Sequence, residues 1–233
     1  MVLITINNIS NKHNLSILSC LAKTKTEGRA DTMTQAVINF SLVMILAAIL
    51  LYHCYKIRGS TDAIVLAIVA GGVGAIVEFV GVTSGGYEYT GQNLLMVIFF
   101  TGVGWIANTY LAIRLSTFIL GYYQKLERLN LFDVLKIAFF ASILGITYDL
   151  FTDPVATALK VWVWSYEGTW YGVPTPNFIG WFFMLLFNII GIHMALIYGK
   201  TVKQKIVIAI ISALIFSFSI ITILKVCAFL NIQ

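Results

Sequence analysis

Three carboxylic acids stand inside long apolar runs of this chain: Glu78 in AIVEFVGV, and Asp149 and Asp153 in GITYDLFTDP. An ionisable side chain in hydrocarbon costs a few kcal/mol, and it faces the bundle interior when present. The i, i+4 spacing of the aspartates places both on one helix face. Carboxyls grouped in an apolar pocket cannot all ionise, and at least one keeps its proton at neutral pH. Such an acid, set against aromatic walls, can protonate an alkene while the ring faces stabilise the resulting carbocation. A second carboxylate can orient water or remove a proton. The competing role is structural, with the acids capping or bridging helices. Two aspartates one turn apart could also hold Mg²⁺ for a diphosphate. There is a single such pair, and Lys160 is the lone cation nearby, so no metal is expected. His193, Asn188 and Asn108, deeper in their segments, read as hydrogen-bonding packing groups. Cys20, Cys54 and Cys227 lack metal-ligand spacing and read as small apolar fillers.

The elements that must carry these acids are transmembrane helices. The 233 residues are 59% hydrophobic and 11% charged, with a mean hydropathy of +0.90; a soluble domain carries about 25% charged residues. Six apolar runs of helical length follow one another, near 36–55, 61–82, 93–114, 132–152, 177–198 and 206–228. The expected fold is all-α, a polytopic membrane bundle of six helices. A seventh could come only from an extension of the third run through Leu115–Tyr123 or from the N-terminal tail. Gly71, Gly72, Gly74, Gly81, Gly102 and Gly104 point to close helix packing. Residues 1–32 form a polar tail, read as disordered or preceding a true start at Met33, and residues 33–233 form the transmembrane domain.

The net charge is +5, but the basic residues cluster in short loops between apolar runs, which excludes nucleic acid as a partner. Nine of the fifteen fall on one side: Lys56, Arg58, Arg114, Lys125, Arg128, Lys136, Lys200, Lys203 and Lys205. By the positive-inside rule that side is cytoplasmic. Glu78, Asp149 and Asp153 then converge at the outer face, and Glu88 and Glu167 lie in the adjoining loops. Those loops, 83–92 and 153–176, are rich in aromatic residues. Trp162 and Trp164 suit an interfacial belt with a helix lying flat over Val155–Trp164, and Pro154 suits the end of the fourth helix.

The string DLFTDPVATALKVWVWSYEGTWYGVPTPNFIGWF, residues 149–183, resembles the carotenoid biosynthesis family of membrane hydratases, which includes the carotenoid 1,2-hydratases of the bisanhydrobacterioruberin hydratase type. The likeness rests on Asp149, Asp153-Pro154, the Trp-rich stretch, Tyr171-Gly-Val-Pro174, Asn177-Phe178 and Gly180-Trp181. A second patch, EFVGVTSGGYEYT (Glu78 to Thr90), is similar to the family's Glu-bearing helix end and Gly-Tyr-x-Tyr loop. Between Gly81 and Tyr87 the chain departs from the family, carrying VTSGG in place of a longer segment with a Pro-Phe-Gly element. The resemblance implies a cofactor-independent hydratase of the cell membrane that adds water across a terminal isoprenoid C=C and leaves a tertiary alcohol. Carotenoids and archaeol-type lipid chains are the candidate substrates, with membrane lipids as surroundings. On this reading Asp149 or Glu78 donates the proton, and the other acid positions water with help from Asp153 or Asn177. Tyr87, Tyr89, Trp170, Tyr171 and Trp181 line the pocket. The rival readings are an isoprenoid cyclase or isomerase begun by the same protonation, and a non-enzymatic lipid-binding or transport protein.

Overall fold

A computed structural model describes residues 38, 40–90, 93–122, 129–212, 215 and 222. By its internal contacts the chain divides into Met1–Leu42 and Val43–Gln233, and all the candidate site residues lie in the second unit. Helix α1 covers Phe40–Arg58, and α2 covers Ser60–Thr83, with a π-helical turn at Ala67–Gly71. Strand β1 is Tyr87–Tyr89 and α3 is Leu94–Ile119. Helix α4 is Leu131–Ala158, strand β2 is Trp162–Trp164 and α5 is Thr175–Tyr198. A further helix, α6, occupies residues 202–212. Helices α1 to α5 are each long and apolar enough to cross a membrane. The sixth apolar run enters α6, but most of it lies outside the described residues, as do residues 1–32, Cys20 and Cys227. Cys54 is buried with its thiol free.

Missing side chains let the helices approach. A Cβ on Gly102 of α3 would sit 2.9 Å from the Gly71 carbonyl oxygen of α2. A Cβ on Gly145 of α4 would overlap Leu185 of α5, one turn before Asp149. Gly72, by contrast, has nothing within 4 Å and takes no part in this packing. Around these crossings Val65, Val69 and Val73 of α2, Ala138 and Ala141 of α4, and Leu185 and Ile189 of α5 form the core.

Three expectations are corrected. Helix α4 does not end at Pro154 but runs through it to Ala158. Proline supplies no N–H for the carbonyl four residues back, and here the Trp170 indole N–H donates to that Leu150 carbonyl at 2.9 Å. The missing bond is thus replaced from a loop. Secondly, Val155–Trp164 is not a flat helix: beyond Ala158 the chain turns and forms β2, paired antiparallel to β1 with Tyr87 opposite Trp164, Glu88 opposite Val163 and Tyr89 opposite Trp162. The all-α bundle therefore carries one small two-stranded sheet. Thirdly, the third helix stops at Ile119, so no seventh span arises there.

Candidate active site

The sheet is built on alternation. Successive strand residues face opposite sides, so Tyr87, Tyr89, Trp162 and Trp164 share the half-buried face, leaving Glu88 and Val163 exposed. The rings pair across the strands, Tyr87 with Trp164 at 5.0 Å and Tyr89 with Trp162 at 5.6 Å between centroids. Both tyrosines reach Glu78 at the end of α2: each hydroxyl donates to Glu78 Oε1 at 2.8 Å. Gly81, one turn along α2, is what makes room, since a Cβ there would lie 2.7 Å from the Tyr87 hydroxyl. Burial, and next the Glu78 carboxyl, push both phenols above their ordinary value, so they remain donors at neutral pH.

On α4, Asp149 is wholly buried and Asp153 is 4% exposed. Asn177, in the first turn of α5, donates its amide N–H groups to Asp149 Oδ2 at 2.9 Å and Asp153 Oδ2 at 2.6 Å. The same amide nitrogen thus bridges the two carboxyls. Two carboxyls held this close in an apolar setting repel each other when both are ionised, which favours one proton between them. Asp149 Oδ1 has no protein partner, an oxygen left open for something else. Asp153 also lies close enough to Glu78 and Tyr87 to act on both electrostatically. The three acids thus meet at one end of the bundle.

Beneath them lies an aromatic floor. Trp105 of α3 covers Gly74, one turn before Glu78 on α2, where a Cβ would overlap its ring. Trp181 stands one turn beyond Asn177 on α5, and the two indoles are 4.3 Å apart between centroids. The acids thus have phenols as direct partners, with the two indoles standing one helical turn along α2 and α5 from Glu78 and Asn177.

Of the nine residues expected at the site, Glu78, Asp149, Asp153, Asn177, Tyr87, Tyr89 and Trp181 come together. Trp170 and Tyr171 stand apart: Trp170 is occupied with the Leu150 carbonyl, and Tyr171 sits at a tight turn with φ 49°, 76% exposed. Trp105, Trp162, Trp164, Gly74 and Gly81 were not singled out as site residues. The alternation of YEY and WVW is too short to have revealed the sheet. Nothing distinguishes Trp105 from its apolar neighbours in the chain. Asn188 and His193, expected to bond between helices, are buried with Nδ2 and Nε2 respectively unpartnered. Among the described residues no group of three His, Cys, Asp or Glu side chains could hold a metal.

Apolar helices that bury three carboxyls at one end, beside a small sheet of aromatic rings, define a class of membrane protein with an acid–aromatic cluster. The chain belongs to the carotenoid biosynthesis protein family, whose pattern matches residues 38–232, and this membership supports a role in carotenoid biosynthesis. No curated protein and no solved structure matches it.

Proposed function

We propose that the protein is a multi-pass hydratase of the cell membrane, adding water across a terminal isoprenoid C=C of a carotenoid or archaeol-type chain. The observation that carries this reading is the pair Asp149–Asp153, tied by Asn177 and set opposite Glu78 over the Trp105–Trp181 floor. The aspartate pair, holding a proton between its members, is the acid: Asp149 transfers it to the less substituted alkene carbon. The positive charge then resides on the tertiary carbon, where the indole and phenol faces stabilise it. Water held by Glu78 adds its lone pair to that carbon and yields its proton to the Glu78 carboxylate, from which a proton returns to the aspartates. The balance is one water gained and nothing oxidised. No cofactor is required.

The aromatic enclosure limits bulk water to what the acids hold, which favours capture at one carbon. Expression in a host that accumulates an acyclic carotenoid or an unsaturated archaeol, with mass spectrometry of the extracted lipids, tests the reading. A product heavier by one water, absent with Asp149→Asn, is expected. A new product of unchanged mass would replace the hydratase by a cyclase or isomerase. No new product from either lipid would overturn the enzymatic reading.

A further inference from the structure

At the basic end of the bundle, away from the acids, we infer a binding site for the phosphodiester of an anionic membrane lipid, formed by Arg58 and Arg114. Its geometry follows from one contact between helices. His53 Nδ1 of α1 and the Tyr110 hydroxyl of α3 are hydrogen-bonded at 2.8 Å, and the two rings meet edge-on at 5.8 Å between centroids. Both helices run toward this end, α1 finishing at Arg58 and α3 at Ile119. Arg58 follows His53 by five residues and Arg114 follows Tyr110 by four. Each arginine therefore stands about one turn beyond the contact, at the same level. Arg58 and Asp62 line one small cavity with Tyr110 and Ile113, and Arg114 is the next residue after Ile113.

The charges at this level do not balance. Arg58 Nε donates to Asp62 Oδ2 at 3.1 Å, which leaves the terminal N–H groups of that guanidinium for another acceptor. Arg114 is half-buried. Among the described residues the ion pairs are Arg58–Asp62 and Lys136–Asp133, so no carboxylate answers Arg114. Two guanidiniums and one carboxylate leave a single positive charge. A phosphodiester carries a single negative charge, and guanidiniums hold phosphate oxygens in a planar fork.

The surroundings select a lipid over a free anion. Leu111, Leu115 and Phe118 flank Arg114 on α3 at helical spacing, and all three are exposed, as are Tyr55 and Ile57 on α1. Acyl chains can lie along these faces while the headgroup meets the arginines near the helix ends. The basic loops are at the same end, and the leaflet on that side is the one rich in anionic lipid. A free phosphate would cover none of the apolar surface. A zwitterionic lipid would cover it but set a second cation against Arg58 and Arg114. The site does not depend on the hydration reading.

Native mass spectrometry of the full chain in detergent tests this, with phosphatidylglycerol, phosphatidylcholine and inorganic phosphate as the probes. Phosphatidylglycerol should bind about five-fold tighter than phosphatidylcholine, the effect of one unbalanced arginine on an anionic lipid. A large excess of inorganic phosphate should not displace it. Arg114→Gln should abolish the preference, and Arg114→Lys, a point charge without the fork, should retain it in part. Lys203→Gln, which removes an exposed charge at the start of α6, should leave the preference intact. The lipid series on the unaltered protein decides the matter even where Arg114→Gln fails to fold. Equal binding of the two lipids would overturn the site. An effect of Lys203→Gln as large as that of Arg114→Gln would reduce it to general basic attraction, and displacement by inorganic phosphate would remove the lipid as its occupant. Asp149→Asn should bind phosphatidylglycerol like the unaltered protein, so loss of hydration and loss of lipid binding are separately visible.

Discussion

The two ends of the bundle treat carboxyl groups in opposite ways. Asp62 is buried beside a cation, Arg58, at 3.1 Å. Glu78, Asp149 and Asp153 are as deeply buried, yet their hydrogen-bond donors are two phenols and one amide. Among the described residues, the ion pairs are Arg58–Asp62 and Lys136–Asp133, and none reaches these three acids. A carboxylate held by a guanidinium has its charge fixed. A carboxyl held by neutral donors remains free to gain or lose a proton as a reaction demands. The same residue type serves as structure at one end and as chemistry at the other, and the neighbour decides which.

The sharpest test of this contrast removes one carboxyl at each end. Asp149→Asn or Glu78→Gln should lower hydration by about 10²–10⁴-fold, the usual contribution of a general acid or base, while thermal unfolding of the purified protein changes little. Asp62→Asn should do the reverse, costing about 3 kcal/mol of stability by stranding Arg58 but preserving turnover per folded molecule. Replacing both partners, Arg58→Met with Asp62→Leu, should recover most of that stability. Equal loss of activity from Asp62→Asn at unchanged stability would break the comparison.

Smaller effects sharpen it. Tyr87→Phe should remove one of two donors to Glu78 at a cost of about 1 kcal/mol, read by thermal unfolding. Gly81→Ala should displace the same hydroxyl, so the double variant should be less destabilised than the sum of the singles. The smallest effect concerns alkaline pH. Tyr87 and Tyr89 ionise less readily folded than unfolded, so the native state holds more protons once pH passes about 10, the ordinary tyrosine value. Stability therefore falls as pH rises from there. Unfolding curves between pH 9 and 11 should show a shallower decline in Tyr87→Phe/Tyr89→Phe.

The acids were legible in the sequence because a charge inside an apolar run needs a reason, and Glu78, Asp149 and Asp153 each had one. Helices α1 to α5 were legible from hydrophobic length alone. The lid was not: three-residue strands such as YEY and WVW carry little periodicity, and their pairing spans more than seventy residues. Pro154 misled because its helix-breaking effect depends on what replaces the lost N–H, and Trp170, sixteen residues later, replaces it. Trp105 was invisible because an indole in an apolar helix looks like lipid-facing bulk until Gly74 is placed beneath it. His193 and Asn188 were expected to bond between helices on general grounds, and Nε2 and Nδ2 respectively find no protein partner.

The π-helical turn at Ala67–Gly71 sets the phase of α2. Sixteen regular steps of about 100° would leave Asp62 and Glu78 roughly 160° apart around the axis, one facing the bundle and the other the lipid. The wider turn takes up one extra residue, which brings the angle down to about 60°. Both side chains are in fact buried, at 6% and 8% exposure. The turn thus works as a vernier between two registers, allowing one helix to serve both ends of the molecule. Deleting a single residue from this turn would restore regular winding at the same angle of about 60° and keep Glu78 in place, whereas inserting one residue beyond it would swing Glu78 about 100° out of line with Asp149 and abolish activity without altering any side chain at the site.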